Sequence, residues 1–479
     1  MKKKILVCSI GLVLLGGILI GGYYYLKNGN NSALNIDKII RDNTFTVIDE
    51  DSDIDWSKLD SNVINLNNES VTITEDGVYT LSGKITNGSV TVNTDGNVKL
   101  ILNDVIITNN SGPAIIIENA KNAIIELADG TVNTINDGSS YTNQEYDGCL
   151  YSKDDLILQG NGKLVVNANY MDGIVSNDDL KIVSGTYEIT ANDDAIRGKD
   201  SVYIVDGTFN IKALGDGIKS TNDTDSDKGN IKIDNGTFKI ASVNDGIQAE
   251  QKLVIENGEY TITTSSTNSS DSAKGIKAGN NIVIYNGTFN INAIDDGIHS
   301  NGNIVINGGT YTINSKDDGV HADGMIEIVS GTFTITAAEG IEATYIKIND
   351  GDINISASDD GINAGNKSND YKVTVEINGG NITIKMGQGD TDGIDSNGNI
   401  YINGGTVNIT GQSAFDYDGE AKYNGGTIIV NGKTTNTITN QFAGGMMGGG
   451  IQQGGNNMQG NRENIQQDGI RGGNHTRRG

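Results

Sequence analysis

One proline stands among 479 residues, with two cysteines, three histidines and one tryptophan. Proline cannot donate to a strand ladder, so its scarcity permits long uninterrupted sheet. Only Cys8 and Cys149 are present, and Cys8 lies in an apolar N-terminal run, so no internal disulfide is expected. Basic residues are also in short supply: 34 Lys and Arg face 61 Asp and Glu, a formal charge of −27. A folded part without a basic stripe has no counterions to release from a phosphate backbone, which excludes nucleic acid as a partner. Cations are the natural partner instead.

What the chain has in quantity is glycine, 65 residues, and a repeat. The phrase DDG, a β-branched residue, then His occurs at 295–299 and again at 317–321. Aligned on its glycine or a small replacement, the phrase recurs at 173, 195, 217, 246, 275, 297, 319, 340, 361, 393 and 414. A second marker, GT before an apolar residue, interleaves with it from 185 to 426. The shorter steps are 21 or 22, and the long ones coincide with polar inserts at 220–230, 263–275 and 364–374, read as loops let out from one corner of the unit. Within a unit the runs are short, β-branched and alternate with period 2, as in NIVING (303–308) and TYTIN (310–314). Three such runs and three turns predict one coil of a parallel β-helix: all-β, single-stranded, three strands per coil of about 22 residues.

The expected organisation is a signal anchor or signal peptide over 1–30, a linker and N-terminal cap over 31–70, the β-helix over 71–440 and a disordered Gly/Gln/Asn-rich tail over 441–479. MKKK followed by the apolar run 5–22 leaves the N-terminus inside and the β-helix outside a bacterial membrane, or secreted if the segment is cleaved. A monomer is expected.

Charge concentrates at one corner. Nine of the eleven residues before the register glycine are acidic, Asp172, Asp194, Asp216, Asp245, Asp296, Asp318, Glu339, Asp360 and Asp392, with Lys274 and Ser413 breaking the series. Asp193, Asp295, Asp317 and Asp359 add a second carboxylate one position earlier. Coils stacked roughly 4.8 Å apart turn these into a column of like charge. Asp-Gly is good turn chemistry by itself, the Asp bonding backbone and the Gly taking positive φ. Other corners nevertheless use Asn-Gly or Gly-Gly, as at 307–309 and 378–380. A hard divalent cation explains the preference, because Ca²⁺ takes six to eight oxygens and adjacent coils offer carboxylates and carbonyls. Ca²⁺ is therefore expected at these aspartates, above all at Asp193/Asp194/Asp216 and Asp295/Asp296/Asp317/Asp318, where only a bound ion is expected to neutralise the column. Two residues after the glycine, Arg197, Lys219, Lys277, His299 and His321 form an outward row read as a groove for acidic sugars. The aromatics from Tyr187 to Phe333 share parity with core isoleucines and are expected to point inward.

The phrases YSKDDLIL (151–158), DGIVSNDDLKIVSGT (172–186), DDAIRGKD (193–200), GDGIKSTND (215–223), DSAKGIKAG (271–279), DDGIHSNGNI (295–304) and FDYDGE (415–420) resemble the clostridial-type carbohydrate-binding domain family of right-handed parallel β-helices. The resemblance covers about 55–435 and departs at Lys274. It implies a polysaccharide-lyase-like fold, calcium at the Asp-Asp-Gly corners, and binding of cellulose and acidic polymers such as polygalacturonate. The leading expectation is a surface-displayed, calcium-dependent polysaccharide-binding protein without catalysis. The rivals are a calcium-dependent lyase of uronate polymers with Arg197 or Lys219 as base, and a structural stalk or adhesin.

Overall fold

The computed structural model describes residues 54–440, except 269–271 and 390. The expected signal or anchor segment and the expected tail lie outside the described residues. Every pairing among the described strands is parallel except the last, and each coil lays down three strands. A six-residue strand such as Thr208–Ala213 is followed by a three-residue strand, Ile218–Ser220, and a four-residue strand, Asn230–Ile233. Each pairs only with its counterparts one coil away, so the chain winds three faces around one core, a parallel β-helix.

On the six-residue face the side chains alternate between exposed and buried, and the inward positions of TFNI- and TYTI-type strands carry an aromatic residue and then isoleucine. Tyr187, Phe209, Phe238, Tyr260, Phe289, Tyr311 and Phe333 therefore stack inside, with successive centroids 4.5–5.1 Å apart and ring planes within 9°. Buried tyrosine hydroxyls need an acceptor. Those of Tyr187 and Tyr260 donate to the carbonyls of Ser184 and Asn257, in the turn that opens each strand.

Two kinds of glycine serve two purposes. At the GT marker φ is positive, as at Gly236 (139°) and Gly287 (137°), and a Cβ there would meet the edge of the aromatic ring two residues on. The register glycines were expected to take positive φ as well, and they do not. They stack glycine on glycine instead: a Cβ on Gly275 would lie 2.4 Å from Ile291 Cγ2 and 2.5 Å from the Gly297 carbonyl oxygen. Gly275→Ala is expected to cost about 1–3 kcal/mol through forced overpacking, measurable as a lower guanidinium midpoint at unchanged slope.

Two other expectations are corrected. The β-helix begins before residue 71, since Ser61–Asn67 already pairs with the strand Gly77–Ile85. The inserts leave from two corners. Those at 220–230 and 364–374 join three- to four-residue strands, whereas 263–275 joins Glu259–Thr264 to Ile276–Ala278. Period counting locates an insert between markers without saying which turn it extends. The insert at 364–374 sends Tyr371 back against the outside of the four-residue face, where it covers Val283, Val305 and Met325 with Tyr285 and Tyr345. At the C-terminal end of the described residues, one strand of the last coil is closed by a hairpin. Thr427–Val430 turns through Asn431 (φ 49°) and Gly432 (φ 75°) into Lys433–Thr435, an antiparallel hairpin. Positive φ at both central residues is the turn that matches strand twist.

Candidate functional site

The stacked corners bring the aspartates into one column. Asp172, Asp194, Asp216, Asp245, Asp296 and Asp318 are buried, while Asp193, Asp295 and Asp392 are half-buried, and Asp317 and Asp359 are exposed beside them. Each of these buried carboxylates except Asp318 does two jobs. Its Oδ1 accepts the backbone N–H one coil on: Asp194 N to Asp172 at 3.0 Å, Asp216 N to Asp194 at 2.7 Å, Asp245 N to Asp216 at 2.7 Å, and Lys274 N to Asp245 at 2.7 Å. The pattern resumes from Asp318 N to Asp296 and from Asp392 N to Asp360. The column is thus part of the coil-to-coil hydrogen bonding, beside the backbone bonds such as Gly217 N to Asp245 O that run at the same corner.

Oδ2 takes a cation. Arg197 Nε lies 2.7 Å from Asp172, and the same guanidinium reaches Asp147. Lys219 Nζ lies 2.7 Å from Asp216 and 3.2 Å from Asp194, and Lys277 Nζ lies 3.4 Å from Asp245. His299 and His321 turn Nδ1 to Asp296 and Asp318 at 2.7 and 2.6 Å. The sequence reading is corrected in two respects. A bound ion is not the only neutraliser of the column, because the chain supplies its own cations. The row Arg197, Lys219, Lys277, His299 and His321 does not stand clear as a groove lining but folds down onto the carboxylates. Parity within a strand separated the two rows, and the corner rotates the chain so that they meet.

Burial nevertheless dominates several carboxyls. Desolvation lifts Asp172 to about 7 against the opposing pull of Arg197, and lifts Asp216 to about 6. For Lys219, two carboxylates overcome the burial that would lower it and hold its proton well above the usual lysine range. Arg197 is likewise raised. A general base must be unprotonated to accept a proton, and these contacts favour the protonated form of both residues.

Calcium fit differs along the column. Oxygens of Asp172, Asp193 and Asp194 lie within 4.8 Å of one another, and Asp147, bridged to Asp172 by Arg197, has a buried Oδ1 with no partner. That donor set is all oxygen, which suits Ca²⁺, and it shares Asp172 with Arg197 and Asp194 with Lys219. Asp295, Asp296 and Asp317 also converge, but Lys274 places its ammonium against Asp295 and, at 3.1 Å, Asp296, so a cation already holds that place. Farther on the cation row ends. Burial raises Asp360 to about 6 and Asp395 to about 7; carboxylates of Asp392 and Asp416 add to both shifts, Asp359 adds to that of Asp360, and Asp360 to that of Asp395.

Sequence reading missed some of the site. Asp155, Asp178 and Asp179 form a second carboxylate cluster at the next corner, with oxygens within 4.8 Å. The DD pairs at 154–155 and 178–179, one period apart, were the available signal. Glu342, which faces His321 Nδ1 at 2.9 Å and pairs with Lys367 at 2.7 Å, was also missed as a partner of His321.

A family model described as carbohydrate-binding domain-containing protein matches residues 67–319 and 314–441. A carbohydrate-binding domain-containing protein of Acetivibrio thermocellus is 36% identical over 135 residues, 27% of this chain and 47% of that protein. The match thus spans about half the length of that relative. A solved structure described as the polysaccharide lyase-like protein from C. thermocellum, a gadolinium derivative, aligns with a TM-score of 0.42 and 30% identity, over 48% of this chain and 96% of that one.

Proposed function

The chain belongs to the carbohydrate-binding domain-containing protein family, matched over more than half its length, and from that premise we propose a calcium-dependent polysaccharide-binding protein displayed outside the cell. The observation that carries this reading is periodicity: one edge repeats a buried carboxylate and a charged partner coil after coil, with a second carboxylate at Asp193, Asp295, Asp317 and Asp359. A linear, repeating edge suits a linear, repeating ligand. On this reading Ca²⁺ binds at Asp172, Asp193 and Asp194 and in the cation-poor coils at Asp359, Asp360, Asp392, Asp395 and Asp416, a choice supported by the converging oxygens in the first case and by the lack of nearby cations in the second. There it supplies positive charge to which uronate carboxylates of a polygalacturonate-like polymer bind; cellulose is the neutral alternative ligand.

Retardation in native gels containing polygalacturonate, and co-sedimentation with cellulose, test the reading with and without chelator. Retention on polygalacturonate that vanishes with chelator is expected; passage through every polysaccharide gel favours a stalk. Ultraviolet-absorbing unsaturated products from polygalacturonate with calcium would instead establish a lyase. None is expected, since Arg197 and Lys219 keep their protons on neighbouring carboxylates.

Calcium that binds the fold and not the unfolded chain adds about 2.7 kcal/mol at 100 times its Kd. The thermal midpoint is expected to fall by a few degrees on chelation, and an unchanged midpoint counts against resident calcium.

A further inference from the structure

His299 and His321 lie on consecutive coils with rings stacked at 4.8 Å. Each ring is tied on its outer side: His299 Nε2 to Asn301 Oδ1 at 2.9 Å, and His321 Nε2 to Asp323 Oδ1 at 3.4 Å. Both acceptors are oxygens with no hydrogen to give, so the hydrogen-bond network assigns the proton to Nε2 in each ring. In a neutral imidazole Nδ1 is then a bare lone pair. Both lone pairs face buried carboxylates. His299 Nδ1 is 2.7 Å from Asp296 Oδ2, and His321 Nδ1 is 2.6 Å from Asp318 Oδ2 and 2.9 Å from Glu342 Oε2.

Lone pairs so opposed require a positive particle between them. A proton on Nδ1 serves one partner well, because a single hydrogen points along one line. At His321 two carboxylate oxygens converge on the same nitrogen, and a metal ion accepts all three donors together. Ligand atoms of Asp296, His299 and His321 lie within 4.8 Å of one another, as do those of Asp318, His321 and Glu342. The outward ties at Nε2 are the arrangement by which metal-binding histidines are oriented through an outer-shell acceptor.

We propose that His299 and His321, with Asp318 and Glu342, form a site for one borderline divalent transition ion of the zinc class, Asp296 being held by Lys274. Imidazole nitrogen suits such an ion and not calcium, which takes oxygen, so this site is chemically separate from the calcium positions. It draws on His321 where two coils meet and does not depend on glycan binding. A proton held on Nδ1 leaves when metal enters.

Calorimetric titration of zinc chloride into calcium-saturated full chain carrying His475→Gln, which removes the third histidine, tests the site. One ion per chain is expected, with heats that differ between buffers by the proton released. His321→Ala is expected to lower affinity by at least about 100-fold and the outer-tie variant Asn301→Ala by about 10-fold. If His321→Ala does not fold, ¹⁵N shifts of the two imidazoles in the His475→Gln chain decide, since Nδ1 and not Nε2 must respond to zinc. Absence of saturable uptake, uptake unchanged in His299→Ala/His321→Ala, or unmoved Nδ1 resonances would each overturn the proposal. Polysaccharide retention by the same samples is read separately, so failure of one reading is distinguishable from failure of the other.

Discussion

Phe238→Ala is expected to lower stability by about 3–5 kcal/mol, the range for truncating a buried aromatic. Phe238 stands inside a stack, with Phe209 and Tyr260 each 4.8 Å away and within 1° of parallel. Truncation removes ring contacts on both sides, and the rings cannot close the gap because each is fixed to its own strand by the ladder from Thr208–Ala213 through Glu259–Thr264. The Gly236 turn, shaped to receive the ring, loses its filler too. Coils contact only their neighbours, so a gap in mid-stack also weakens the coupling between the two halves. Guanidinium denaturation is expected to show a lower midpoint with a shallower slope, as the halves begin to unfold separately. A loss under about 1 kcal/mol would mean that the stack is not structural.

Arg197→Met is expected to cost about 3–5 kcal/mol, as for any buried pair broken from one side. The guanidinium has two carboxylates to itself, and Asp172 is among the most buried of the column. Methionine keeps much of the packing and leaves the charge of Asp172 without its counter-charge. The loss depends on pH in a definite direction. Burial already raises Asp172 to about 7 in the fold, above its unfolded value, and loss of Arg197 removes the main opposing pull. The folded variant therefore binds a proton that the unfolded chain has released, and its stability falls as pH rises from about 4 through 7. In calcium-free buffer the deficit against the unmodified protein is expected to be larger at pH 8 than at pH 5. Arg197→Met/Asp172→Asn is expected to recover part of it, because an amide is buried at lower cost than a lone carboxylate. A deficit independent of pH would mean that packing and not charge was lost.

Much of this molecule was legible from repeat spacing. Strand parity placed the Tyr187–Phe333 stack inside, and the fixed step between register glycines placed the aspartates on one edge. Parity has no meaning at a corner, however, and that is where Asp216 and Lys219 meet three residues apart. Nor does spacing distinguish a glycine needed for positive φ, such as Gly236, from one needed for close approach, such as Gly275, since both appear as the same letter beside a turn. The histidines illustrate a further limit. His299 and His321 appeared as two members of a mixed row, and only coordinates show that Asn301 and Asp323 fix which nitrogen faces the carboxylates. Asp155 and Asp179 carried a signal, but their pairs lack the glycine that marked the register.

The hairpin Thr427–Val430/Lys433–Thr435 has an implication for how copies of this chain meet. A coil ending flat would present three parallel strand edges of the right spacing to receive the first coil of another molecule, head to tail, and such a contact repeats without closing. By folding back antiparallel, the final strand occupies part of that terminal surface with partners of the wrong direction. A chain cut before Asn431 would be a candidate building block for fibres, and light scattering after such a truncation would reveal whether this turn is what keeps the molecule finite.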